Sequence, residues 1–140
     1  MGSGIAQACA QAGYRVTIMD IDDNIVTKTT ETILGTNTSS IAITEIAAAV
    51  RSPERVVGIH FFNPIHRMQL VEIVKGLLAT EETVALAKDF VLSLRKEPGM
   101  VNRDSAGFVV GRINGMALLE ALRPLETGTA SVEESTKPCG

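Results

Sequence analysis

The chain lacks most of what marks a nucleic-acid-binding, secreted or membrane-spanning protein. Its 13 Lys and Arg against 16 Asp and Glu leave a net charge of -3. The basic residues form no cluster, so nucleic acid and an anionic membrane are poor partners. The only two cysteines, Cys9 and Cys139, stand at opposite ends in no metal or redox spacing, which points to a reduced compartment and to no metal site. The first residues have neither the basic region nor the apolar core of a secretory signal. The longest apolar stretch, residues 41–50, is interrupted by Thr44 and Glu45 and is far short of the ~20 residues that cross a bilayer. These absences predict a soluble, cytoplasmic chain, or one of the mitochondrial matrix if the source is eukaryotic, although no transit peptide is present. At 140 residues there is room for one domain with a real core, or for one domain and part of another.

What is present alternates between helix and strand periods. Gly2-Ser3-Gly4 opens an Ala-rich helix over residues 5–12, and Gly13 is placed to end it. Residues 15–20 read as a short buried strand closing on Asp20. A weak, Thr-rich helix is expected over 22–32. Ile33-Leu34-Gly35 is a short apolar patch before the polar turn 36–40. Residues 43–50 then read as a helix, with Ser40 near its N-cap and Pro53 beyond its end. Two apolar runs follow, then an amphipathic helix from Glu81 to about Leu94. Pro98-Gly99 breaks the pattern and is the expected domain boundary, giving domains 1–100 and 101–140. A further helix is expected over 108–122, with apolar positions 109, 113, 116 and 117, and then a polar, frayed tail from Thr127.

The two apolar runs carry the chemistry. Gly58-Ile59-His60-Phe61-Phe62-Asn63-Pro64 places one of the two histidines at the end of the first, and Leu70-Val71-Glu72-Ile73-Val74 places a single carboxylate in the second. If the runs pair antiparallel and turn near His66, His60 and Glu72 lie equally far from the turn and face each other. An imidazole held by a carboxylate is a common general base near neutral pH. The same spacing is also met by an unrelated histidine and an edge glutamate on two ordinary strands.

The opening glycines admit a second reading. A helix N-terminus with glycines lets a phosphate approach closely, because unpaired amides point outward and the dipole is positive there. Asp20 would end the next strand, where a ribose hydroxyl is received. A free carboxylate at that point favours NAD over NADP, and no arginine follows to reverse the preference. Small residues at a helix start also serve helix–strand packing alone, so this signal stays open by itself.

Taken together these segments resemble the L-3-hydroxyacyl-CoA dehydrogenase family, which includes the 3-hydroxybutyryl-CoA dehydrogenases. Met1-Gly2-Ser3-Gly4-Ile5-Ala6-Gln7 looks like the end of that family's glycine loop. Asn37-Thr38-Ser39-Ser40 with residues 43–47 is similar to its N-T-S-S segment and the helix after it. His60-Phe61-Phe62-Asn63-Pro64 and Leu70-Val71-Glu72 look like its catalytic signature, and residues 104–110 resemble the entry to its helical domain. The resemblance implies an α/β fold: an incomplete Rossmann-type doubly wound sheet followed by the start of an all-α C-terminal domain. It implies NAD as cofactor and a 3-hydroxyacyl-CoA as substrate. His60 would take the 3-hydroxyl proton, Glu72 would orient the imidazole, and Ser39 and Asn63 would bond around the reacting oxygen and the histidine. Gly2, Ser3, Asp20 and Asn37 would contact the cofactor. A homodimer, or a partner chain completing the sheet, is the implied assembly.

The departures from that family are also informative. Its glycine loop begins upstream of Met1, which suggests an internal start or a truncated gene. Only sixteen residues separate Asp20 from Asn37, where the family has several further elements. Gly111 stands where the family has an asparagine, with Asn114 one turn later, and Ala106 replaces a proline. The C-terminal domain is cut after one helix. Three outcomes follow as expectations: an active dehydrogenase, an inactive fragment or isoform that keeps the His60–Glu72 module, or a related dehydrogenase of other 3-hydroxy acids.

Overall fold

A computed structural model describes residues 1–16 and 33–136. The expected strand ending at Asp20, the expected helix over 22–32 and Cys139 lie outside the described residues. The chain divides into two compact units, Met1–Ala106 and Gly107–Gly140.

In the first unit, helix α1 (Gly2–Gln11) ends at Ala12, and Gly13 follows with φ +90°, a conformation that favours glycine. Strand β1 (Leu34–Thr36) lies parallel to β2 (Val56–Phe61). Helix α2 (Ile43–Ala48) makes the crossover between them. Strand β3 (Leu70–Val74) returns antiparallel beside β2, and α3 (Glu81–Ser93) crosses to β4 (Glu97–Val101), parallel to β3. The sheet order is β1-β2-β3-β4.

Period-two alternation assigns the two faces of this sheet. Val57, Ile59, Phe61, Val71 and Ile73 pack with Val84, Ala87 and Val91 of α3, and Ile5 and Ala8 of α1 lie against the same cluster. On the other face Gly58 meets α2 closely: a Cβ built there would stand 2.9 Å from Ile43 Cδ1 and 2.8 Å from Val74 Cβ. His60 and Glu72 share that second face. All six residues of β2 are buried, as expected of a strand covered on both sides. The result is an α/β sheet with helices on both faces, the architecture the resemblance implied.

Several local expectations need correction. Ser40 does not cap α2. The N-cap is Ala42, and the hydroxyl of Thr38 instead accepts from the Ile41 amide at 3.1 Å. The helix N-terminus is served from far along the chain, where Asp104 Oδ2 accepts from the Thr44 amide at 2.7 Å. Pro98 and Gly99 lie inside β4 rather than breaking the chain. Proline is tolerated at a sheet edge because its missing amide costs no ladder bond there, and β4 is the last strand in the order. The division into units falls after Ala106 instead.

In the second unit, α4 (Val110–Glu126) runs past Pro124. Proline costs the helix only one bond this close to its end, and the next turn still closes from the Thr127 amide to the Arg123 carbonyl at 3.0 Å. The tail is not wholly irregular. Helix α5 (Val132–Ser135) forms behind Ser131, whose hydroxyl accepts from the Glu134 amide, an ordinary N-cap.

Candidate active site

The register of β2 and β3 sets His60 opposite Glu72. His60 Nδ1 and Glu72 Oε2 are 2.9 Å apart, and the two residues are 9% and 2% exposed. A carboxylate oxygen can only accept, so Nδ1 carries the hydrogen. In the neutral ring the basic lone pair is then on Nε2, and the tautomer is fixed by the partner. Burial keeps this bond away from competing water, which strengthens it electrostatically. The Phe62 ring packs edge-on to the imidazole, with centroids 4.7 Å apart.

Asn37, just past the end of β1, donates nothing to this pair but braces its strand. Its Oδ1 accepts from the Phe61 amide at 2.8 Å, joining the ends of β1 and β2. Both strands are parallel, so their carboxyl ends open on the same side, where ligands bind in open α/β sheets. Ser39 is exposed on the loop after β1, and Asn63 is exposed after β2, followed by a cis bond to Pro64.

Gly2 and Ser3 occupy the first turn of α1. Intrahelical bonding begins only with the Gly4 and Ile5 amides, both directed to the Met1 carbonyl. Among the described residues nothing stands within 4 Å of a Cβ built on Gly2, so none of them packs against that face of the helix start. Gly4 differs: its Cβ would meet Ile65 Cδ1 at 3.0 Å, so its role is packing. Ser3 and Asn63 line one concavity of about 250 Å³ with Met1, Gln7, Pro64 and His66. The structure thus joins His60 to Glu72 and gathers Ser3 with Asn63, whereas Asp20 lies outside the described residues. Sequence reading missed Asp104, whose hold on α2 has no signal at a separation of 60 residues.

A doubly wound sheet, with a helix that opens on glycines and a carboxylate-braced histidine near the end of β2, is that of a Rossmann-type domain. Comparison with known proteins narrows this. The family described as "3-hydroxyacyl-CoA dehydrogenase, NAD binding domain" matches residues 1–33 and 27–105, and the chain belongs to that family. The 3-hydroxybutyryl-CoA dehydrogenase of Clostridioides difficile is 44% identical over 104 residues, covering 74% of this chain and 37% of that protein. The solved (S)-3-hydroxybutyryl-CoA dehydrogenase of Ralstonia eutropha is similar at a TM-score of 0.68 and 43% identity, over 73% of this chain and 36% of that one. A solved pyridine-carboxylic acid 5-dehydrogenase, described as an NAD+-dependent dismutase, matches at a TM-score of 0.70 and 35% identity, over 74% of this chain and 33% of that one. The chain therefore spans about a third of the length of these relatives. Among the described residues no helix is long and apolar enough to cross a membrane.

Proposed function

We propose that this chain carries the proton-transfer half of an NAD-dependent 3-hydroxyacyl-CoA dehydrogenase site. The observation that supports it is the His60–Glu72 bond near the carboxyl end of β2. Nε2 of His60 takes the proton from the substrate's 3-hydroxyl as hydride leaves C3, and the carbon becomes a ketone. Glu72 keeps the ring's other nitrogen protonated and offsets the charge that the imidazolium gains. Bound NAD supplies the hydride acceptor. The first turn of α1, at Gly2 and Ser3, fits its pyrophosphate. Asp20 is assigned to its ribose, Asn37 to its neighbourhood, and Ser39 and Asn63 to hydrogen bonds around the reacting oxygen.

The test is NADH formation from 3-hydroxybutyryl-CoA by the purified chain and by His60→Ala. A positioned base contributes roughly 10²- to 10⁴-fold, so the variant should lose that much turnover while still binding NADH. Equal turnover in the two proteins would refute the assignment.

A second reading is that the module is retained without turnover. Two observations favour it: the family matches in two overlapping stretches, 1–33 and 27–105, rather than in one continuous match, and only sixteen residues join Asp20 to Asn37. A folded circular dichroism spectrum with no NADH formation, at any enzyme concentration, supports this reading over the first. A related 3-hydroxy acid as substrate is the remaining variant, and the same assay with the free acid in place of the thioester separates it.

A further inference from the structure

At the other end of α1, beside Ala8, Gln11 and Ala12, lies a larger concavity, of about 510 Å³, that the proposed chemistry does not use. Its polar lining comes chiefly from Gln11, His66, Gln69, Arg95 and Lys96, and among the described residues no Asp or Glu lines it. That is unexpected in a chain of net charge -3. The ion pairs His60–Glu72, Lys75–Glu81 and Arg123–Glu120 involve none of these basic groups.

Two details of the cleft point to a ligand. The first is Lys96, only 8% exposed, whose ammonium donates to the Ile65 carbonyl at 2.7 Å and the Met68 carbonyl at 2.8 Å. An ammonium has three hydrogens, and a buried cation held by carbonyls alone is costly without an anion nearby. The second is Arg95. Helix α3 ends in a Schellman arrangement, with the Arg95 amide bonded to the Leu92 carbonyl at 2.9 Å and the Lys96 amide to the Val91 carbonyl at 3.3 Å. The position after the cap in that motif favours glycine, yet here an arginine is held at φ +57°. A side chain kept where backbone strain argues against one is an indicator of function.

We propose that this cleft binds a phosphate-type anion, either inorganic phosphate or the terminal group of a phosphomonoester, through Arg95, Lys96 and His66. The guanidinium fork matches two phosphate oxygens. Lys96 supplies a point charge at the wall, and the Gln11 and Gln69 carboxamides supply neutral donors. The site is separate from the pyrophosphate position at Gly2 and does not rest on the dehydrogenase reading.

The experiment is a titration of the full chain with inorganic phosphate and, separately, with adenosine 3′-phosphate, followed by amide chemical shifts against sodium chloride of equal ionic strength. Saturable shifts at Gln69, Arg95 and Lys96 are expected. Tighter binding of the nucleotide would identify a phosphomonoester as the ligand, and equal binding would identify the free ion. Arg95→Gly relaxes the backbone and so keeps the fold. It should weaken the affinity about tenfold or more, the loss of a charge-assisted contact, and His66→Ala should weaken it less. Shifts that chloride reproduces, that never saturate, or that persist unchanged in Arg95→Gly would overturn the proposal.

Discussion

The β2–β3 pair and helix α4 are both apolar segments with regular periodicity, and they end in opposite states. Val57, Val71, Ile73 and Val74 are completely buried. In α4, Ile113, Met116, Leu118, Leu119 and Leu122 are all largely exposed, and none of the 17 residues of the helix is buried. Periodicity states which side of an element is apolar; it does not state whether anything covers that side. A strand pair flanked by α1, α2 and α3 has its covering elements close by in the chain. For α4 the described residues of its own unit provide only the short α5, so its apolar stripe adds little to the stability of this chain.

The largest test of that contrast is Ile73→Ala. Deleting a fully buried branched side chain should cost about 2–5 kcal/mol, read as a lower urea midpoint at unchanged slope. Gly58→Ala comes next. The added methyl meets Val74 and Ile43 below 3.0 Å, so roughly 1–3 kcal/mol of overpacking is expected. Asp104→Ala removes the acceptor that serves the α2 N-terminus and should cost about 0.5–2 kcal/mol. Its effect is tempered because Asp104 Oδ1 is the one buried side-chain oxygen without a hydrogen-bond partner among the described residues. Leu119→Ser on α4 should change stability by no more than about 0.5 kcal/mol. A loss near that of Ile73→Ala would mean that α4 is covered in solution. The smallest effect concerns reactivity. Burial raises the Cys9 thiol above its ordinary value, so at neutral pH it should be alkylated more slowly than a free thiol, and reach comparable rates only under denaturant.

The same contrast separates what could be read from the sequence and what could not. The His60–Glu72 pairing was legible because an antiparallel turn turns sequence spacing directly into register, and both strands are continuous apolar runs. Helices α1 and α3 were legible from Gly13 and from the Glu81-Glu82 start. Strand β4 was not, because Pro98-Gly99 is a breaker everywhere except at an edge, and sequence does not say which strand is outermost. Ser40 was a reasonable N-cap by type, but the loop spends the Thr38 hydroxyl locally and takes its helix cap from Asp104. Long-range polar contacts of that kind leave no periodic trace, and neither does the basic cleft at Lys96, whose members come from α1, the β2–β3 connection and the end of α3.

One contact beside the site has a consequence for how freely its loop can change. The Asn37 carboxamide oxygen receives the Phe61 amide after β1 has already ended, so a side chain supplies one more rung than the strand itself possesses. The backbone from Thr38 onward can leave the sheet without orphaning the amide next to His60. Insertions or substitutions around Ser39 could therefore reshape what the loop offers a substrate while the histidine's strand stays zipped, provided that residue 37 remains an asparagine or an acceptor of equal reach.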